Sequence, residues 1–391
     1  MAKDDEQTVY FDNAASARPD PRVVELAGKI ALSYYANPAS IHDFGSECDE
    51  YLTQARKQIV SLLAPDDDKA NPFECIFTSG ATEGNNIAIL GAALAQESYS
   101  KTIITTTAEH SSVSKVFDRL AKEGFRVIRI PVHLDGDIDW DMFLKALKEP
   151  FSLISAMEVS NQNGAILPIA KMAKMAKEAN PRALFHTDAT QSICKLATDF
   201  SNVDMVTFSG HKIGGLRGTG ALLKRSKSRL VPPEVGGGQE AGLRSGTANT
   251  PGDVSLALAL RLGLESLPNR AFRAKEINDR IREGLVGMED LVEVISPLGN
   301  VIPFVLTLGL KKQRASVMDQ YLSGKGIFVS TTSACDDKHD GPNAILRAMG
   351  LASHIADNPI RLSFTGNEDL KEADMFLKAF IQGLKSLKFD I

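Results

Sequence analysis

The chain has 391 residues, of which 43% are hydrophobic and 24% charged, with a formal net charge of -5. That is ordinary for a globular protein and long enough for two or three domains with real cores. The acidic balance argues against a phosphate-tracking nucleic-acid binder, and the longest apolar run, roughly 87–95, is far too short to span a bilayer. The start, MAKDDEQTVYFDN, has no apolar stretch after a basic start, so a cytoplasmic protein is expected. Cys48, Cys75, Cys194 and Cys335 are widely spaced, with no C-x-x-C pair. They read as free thiols rather than a disulfide framework or a metal site.

From about residue 74 to 225 the pattern alternates between short β-branched runs and helical-period segments. Strands are predicted over 74–78, 102–107, 126–132, 153–159, 183–186, 205–208 and 220–224. Helices are predicted over 83–95, 111–122, 139–147 and 168–179. Such alternation predicts an α/β domain with a mostly parallel sheet, which binds ligands at the carboxyl ends of its strands. A Gly-rich segment at 236–252 leads into predicted helices over 253–266 and 268–287. Strands over 292–296 and 301–308 follow. A helix at 316–323, a strand at 327–331, a helix at 343–349, a strand at 360–364 and a helix at 368–387 complete a smaller α+β part, against which the N-terminal segment can pack.

Three motifs carry chemistry. In CIFTSGATEGNN, 75–86, a strand runs through small residues into a helix. The unpaired N–H groups at that helix start and the helix dipole suit an anion on Gly80, Ala81 and Thr82. A capped helix start with no ligand is the bland alternative. In FHTDATQ, 185–191, Asp188 falls just past a strand. A buried carboxylate needs a cation or several donors, which a protonated ring nitrogen, a metal or a helix start would supply. In FSGHKIGGLRGTGAL, 208–222, Lys212 sits among small residues. A desolvated lysine becomes a nucleophile toward aldehydes, whereas a solvated one in a glycine loop does nothing special. Ser209 and His211 beside it can donate to a phosphate. Together the motifs ask for one ligand with a phosphate, a protonated ring nitrogen and an aldehyde, and pyridoxal 5'-phosphate (PLP) has all three. His110, in TTTAEHSSV, follows another strand and can stack on the ring or serve as a core histidine.

These residues resemble the cysteine desulfurases of the NifS/IscS type, in the class V aminotransferase group of fold-type I PLP enzymes. The likeness runs nearly end to end, through YFDNAAS, NPASIHDFG, FTSGATEGNN, AEHSSV, NQNGAI, HTDATQS, FSGHK, GGGQEAGLRSGT, VSTTSAC and PIRLSF in that order. The resemblance implies a large PLP-binding domain over 15–260. It also implies a small domain, 1–14 with 261–391, that carries a catalytic cysteine loop. Lys212 would bond the cofactor aldehyde as a Schiff base and move protons. Asp188 would pair with the ring nitrogen, Gln191 would touch the ring hydroxyl, and His110 would stack on the ring and take part in proton transfer. Ala81, Thr82, Ser209 and His211 would hold the phosphate, with Thr247 reaching it from a partner subunit. Asn161 would contact cofactor and substrate. With Asn37 and Arg361 it would position the substrate, Arg361 as a fork on its carboxylate. Cys335 would accept sulfur from L-cysteine as a persulfide, leaving alanine. A homodimer and an acceptor protein are implied as partners, for example an iron–sulfur scaffold or a thiolation protein; a metal, nucleic acid and a membrane are not.

The pattern departs from its relatives in three places. Asp336 and Asp337 follow Cys335 where small or hydroxyl residues are usual, and nearby anions disfavour a thiolate. Ala241 stands where arginine is usual, and GGLRG follows Lys212 in place of a Gly-Pro-Lys-Gly run. Two competing readings remain from the sequence: a related PLP lyase acting on selenocysteine or a sulfinate without Cys335, and a non-catalytic scaffold of the same fold.

Overall fold

The computed structural model describes residues 8–331 and 343–387. Twelve strands occur in chain order among them: β1 (Val9–Tyr10), β2 (Phe73–Thr78), β3 (Thr102–Thr106), β4 (Arg126–Ile130), β5 (Leu153–Ser155), β6 (Leu184–Asp188), β7 (Met205–Ser209), β8 (Gly220–Arg225), β9 (Val292–Val294), β10 (Val305–Leu310), β11 (Ile327–Phe328) and β12 (Pro359–Ser363). Seven form one sheet in the order β2-β8-β7-β6-β5-β3-β4. The pairs β3–β4, β3–β5, β5–β6 and β6–β7 are parallel, and β8 runs antiparallel to both its neighbours. Strands β5 to β8 are buried along their whole length, as strands covered on both faces must be.

The covering helices start where the sequence supplies caps. Asp20 accepts from Arg22 N ahead of the helix Pro21–Ser33, Asp139 caps Trp140–Ala146, and Asn249 caps Thr250–Glu265. The helix Ala81–Ala95 is different: its cap is Gly80, which offers no side chain. Ten of its residues are buried between the sheet and the helix Ser111–Lys122.

A second, antiparallel sheet has the order β12-β10-β9, and β1 pairs in parallel with β11. The helices Leu267–Gly284, Ala315–Ser323 and Leu370–Ser386 pack here around a separate core of Phe11, Phe304, Phe364, Phe376 and Phe380. Phe11 meets Phe364 edge-on at 5.0 Å. Each such ring buried is worth about 1.5–3 kcal/mol over leaving it exposed. The segment 345–356 instead joins the core under the large sheet.

Some elements differ from their sequence-based limits. The strand expected over 301–308 starts at Val305 because Pro303 has no N–H to give a ladder. The run 153–159 leaves the ladder after Ser155. The helices Pro21–Ser33, Asp43–Leu63 and Ser353–Ala356 were not anticipated.

Candidate active site

Since β8 is antiparallel to both β2 and β7, the strands β2, β3, β5, β6 and β7 all point the same way. Their carboxyl ends form one edge of the sheet, and the candidate residues lie there.

Lys212 closes a single 3-10 turn, Gly210–Lys212, directly after β7. The turn is tight. A Cβ at Gly210 would lie 2.3 Å from Thr219 Oγ1, and one at Gly215 would lie 2.9 Å from the Gly210 carbonyl oxygen. Lys212 Nζ meets the N-terminal segment, donating to Ala14 O at 2.6 Å and Ala15 O at 2.7 Å. Gln191 Nε2 donates to the same Ala14 oxygen at 3.1 Å, and Gln191 Oε1 accepts from Lys195 Nζ at 2.6 Å. Lys195 is buried. Burial first, then the positive charges of Lys212 and Arg270, push its amine down to about 7.

Asp188 ends β6 and is buried. Its Oδ2 accepts from Asn85 Nδ2 at 2.9 Å and its Oδ1 from Thr190 N at 3.0 Å. These are the donors that a buried carboxylate requires. Ser209 ends β7, and its Oγ accepts from Ala81 N at 2.7 Å. Ala81, Thr82 and Ser209 therefore meet at the start of the helix Ala81–Ala95. Gly80 adopts φ 153°, and a Cβ on Gly220 would lie 2.6 Å from Gly80 Cα, so this corner is packed to backbone contact. A helix start of this kind is suited to an anion.

His211 is half-buried, with Nδ1 at 3.3 Å from Ser16 Oγ. Burial, then the charges of Lys212, Arg217 and Lys195, push its ring down to about 4. His110 caps the helix Ser111–Lys122: Nδ1 accepts from Ser112 N at 3.1 Å and lies 2.8 Å from Ser112 Oγ. Arg361, on β12, is only 3% exposed. It donates through Nη1 to Asn161 O at 2.9 Å and through Nη2 to Asp12 Oδ1 at 3.3 Å. Its Nε and the Asn161 Oδ1 are buried with no hydrogen-bond partner.

The structure thus gathers Lys212, Asp188, Gln191, Ala81, Ser209, His211 and His110 at one sheet edge, with Asn161 and Arg361 paired beside Asp12. Asn37 and Thr247 are both exposed on loops, and Asn37 Oδ1 accepts from Ala39 N at 3.0 Å. Cys335, Asp336 and Asp337 lie outside the described residues. Ala241 is exposed at φ 55°, next to Glu240, whose carboxylate takes both Arg56 nitrogens at 2.6 and 2.5 Å. Among the described residues, no group of three or more His, Cys, Asp or Glu could hold a metal ion, and no helix is long and apolar enough to cross a membrane.

Sequence reasoning missed Asn85, Thr207, His186, Lys195 and the carbonyls of Ala14 and Ala15. A signal existed for three of them. Thr207 and His186 are polar residues in otherwise apolar strand runs, and Asn85 sits inside a motif already singled out.

A model of the family described as aminotransferase class-V matches residues 9–376. The chain belongs to the aminotransferase class-V family. Among its relatives, a NifS/IcsS protein homolog of Lactobacillus delbrueckii subsp. bulgaricus is 37% identical over 95% of this chain and 96% of its own. A cysteine desulfurase of Nostoc sp. is 35% identical over 91% of this chain and 87% of its own. Among solved structures, a NifS-like protein superposes with a TM-score of 0.88 at 33% identity, over 97% of this class-V chain and 100% of that one.

Proposed function

We propose that this class-V protein is a PLP-dependent cysteine desulfurase, converting L-cysteine to L-alanine and taking the sulfur onto Cys335. The observation that carries the reading is the convergence of Lys212, Asp188 and the Gly80–Ala81 helix start on one sheet edge. The Nostoc relative's description as a cysteine desulfurase supports it.

The residues present fit PLP. A lysine amine, a buried carboxylate held by two donors, and a helix start whose cap, Gly80, has no side chain answer its aldehyde, ring nitrogen and phosphate. The unpartnered Arg361 Nε and Asn161 Oδ1 are a buried donor and a buried acceptor left for a ligand. When bound, PLP supplies an aldehyde that bonds an amine and a protonated ring that draws electrons from the substrate α-carbon.

Ala81, Thr82, Ser209 and His211 hold the phosphate, with Thr247 of a second subunit. Asp188 would hold the ring nitrogen in its protonated form, Gln191 would meet the ring hydroxyl, and His110 would stack on the ring. Arg361 forks the substrate carboxylate, with Asn161 and Asn37 beside it. Lys212 takes the α-proton of the substrate. The Cys335 thiolate attacks the substrate sulfur: an S–S bond forms and the C–S bond breaks. Its electron pair goes to the carbon fragment, which takes up protons to leave as alanine. A persulfide remains on Cys335 for a protein acceptor. We further assign 15–260 as the large domain and 1–14 with 261–391 as the small one, in a cytoplasmic homodimer.

The test is purified protein with L-cysteine and a reductant, following sulfide and alanine, beside Cys335→Ala. Equal sulfide and alanine from the wild type, lost in the variant, is the expected result. Equal turnover by the variant would remove Cys335 from the mechanism. A wild type without visible cofactor absorbance would overturn the reading as a whole.

A further inference from the structure

Behind Asp188 runs a chain of buried side chains that no part of the proposed reaction uses. Ser155, His186, Thr207 and Asn85 are each fully buried. Ser155 Oγ lies 2.8 Å from His186 Nδ1, and His186 Nε2 lies 2.5 Å from Thr207 Oγ1. Thr207 Oγ1 donates to Asn85 Oδ1 at 2.6 Å. Asn85 Nδ2 donates to Asp188 Oδ2 and to Ser112 Oγ, both at 2.9 Å.

Counting hydrogens gives this chain a direction. Thr207 has a single hydroxyl hydrogen. The Thr187 carbonyl is 3.5 Å away, too long to compete with Asn85 Oδ1 for it. Thr207 Oγ1 therefore accepts from His186 Nε2. Burial holds the His186 ring neutral, pushing it down to about 4 against the opposing charge of Asp188. A neutral ring with its hydrogen on Nε2 accepts at Nδ1, from Ser155. With Oδ1 engaged, the Asn85 amide must turn Nδ2 toward Asp188. His110 Nδ1 accepts the Ser112 N–H and so bears no hydrogen, which leaves Ser112 Oγ, itself accepting from Asn85, as the donor in its 2.8 Å contact with Nδ1. A neutral His110 then carries its ring hydrogen on Nε2. Every bond points one way, from Ser155 toward Asp188 and His110.

We infer that Thr207, with His186 behind it and Asn85 ahead, is a positioning residue that fixes the Asn85 amide and thereby holds its Nδ2 on the Asp188 carboxylate and on Ser112. A flipped amide would place Oδ1 against the Asp188 carboxylate, two acceptors in contact. The inference rests on the PLP reading above.

The test is Thr207→Val, which exchanges the hydroxyl for a methyl and keeps the branched shape, beside Thr207→Ser, which keeps the hydroxyl. The readouts are cofactor affinity and the pH midpoint of the visible absorbance of the cofactor-loaded protein. A weakened Asp188 leaves the ring nitrogen less cationic, so the imine nitrogen holds its proton to higher pH. Thr207→Val is expected to bind PLP about tenfold more weakly and to raise the midpoint by about half a unit or more. Thr207→Ser should restore both. Asn85→Ala should move both readouts the same way and further, and it carries the test if Thr207→Val does not fold. An unshifted Thr207→Val, or a Thr207→Ser shifted as far as the valine variant, overturns the inference. A wild type that takes up no PLP and shows no visible cofactor absorbance would instead overturn the PLP reading.

Discussion

Glu109 stands between the strand β3 and His110 and is fully buried. Thr106 Oγ1 donates to its Oε1 at 2.6 Å and Met157 N at 3.0 Å, while Oε2 has no partner. Burial pushes its carboxyl from 4.5 up to about 8, against those two bonds and with some help from Asp188. The folded state therefore keeps a proton that the unfolded chain loses above about 4.5. Its contribution to stability is complete below the unfolded value and is lost as pH rises through about 8. Glu109→Gln is neutral at every pH and should remove that slope. Denaturant titrations at pH 5 and pH 8 should show the wild type losing about 1–4 kcal/mol more than the variant; parallel pH curves for the two proteins would refute it. At this scale the sequence motifs led to Lys212, Asp188, Ser209 and Ala81, because each sits at or just past the carboxyl end of a strand. They did not lead to Lys195 or to the Thr207–Asn85 bond. That bond joins residues 122 positions apart, and no local pattern encodes such a contact.

The element that organises the site is the helix Ala81–Ala95, which lies directly on β6, β7 and β8. Gly84 permits this approach: a Cβ there would sit 2.1 Å from Thr207 Cγ2. On an exposed helix, Gly→Ala gains up to about 1 kcal/mol. Here the added methyl must push the helix off the strand, and overpacking of this kind costs about 1–3 kcal/mol. Gly84→Ala should therefore lower stability in urea by about 1–2 kcal/mol net. It should also weaken PLP retention, since Thr207 moves with it. A stabilised variant would show that the helix sits farther from the sheet. The strands around this helix were legible as β-branched runs between turns. The helix Asp43–Leu63 was not, although its buried positions Gly45, Cys48, Leu52, Ala55, Ile59 and Leu63 follow helical spacing. Gly and Ala occupy two of those positions, so the apolar stripe is faint. The strand expected at 301–308 failed for the opposite reason: an apolar run persisted where Pro303 removes a ladder donor.

Across the whole molecule, the two sheets meet the site through one short segment. Strand β1 pairs with β11, Asp12 bridges to Ser363, and Asn13 Nδ2 donates to Ser363 O at 2.9 Å and Tyr10 O at 3.1 Å. Ala14 N then donates to Ser363 Oγ at 2.7 Å. The next atoms along the chain are the Ala14 and Ala15 carbonyls on Lys212, and Ala17 N donates back to His211 O at 2.8 Å. The position of the Lys212 amine is thus set by the C-terminal sheet, through a segment some 200 residues earlier in sequence. YFDNAAS, one of the ten matching segments, thus acts through side chains that anchor it and a backbone that contacts Lys212. Asn13→Ala removes three anchoring bonds, to the Tyr10 and Ser363 carbonyls and to Glu368 Oε1 at 3.3 Å, without touching Lys212. Leaving the Ser363 and Tyr10 carbonyls short of a donor should cost about 1–3 kcal/mol of stability. The looser Ala14 and Ala15 carbonyls should also slow reloading of the cofactor-stripped protein with PLP and weaken its affinity several-fold, read from visible absorbance. Ser363→Ala should act in the same direction through Ala14 N. A loss of stability in both variants with unchanged PLP affinity would mean that the segment only staples the sheets and that the Lys212 turn keeps its own geometry.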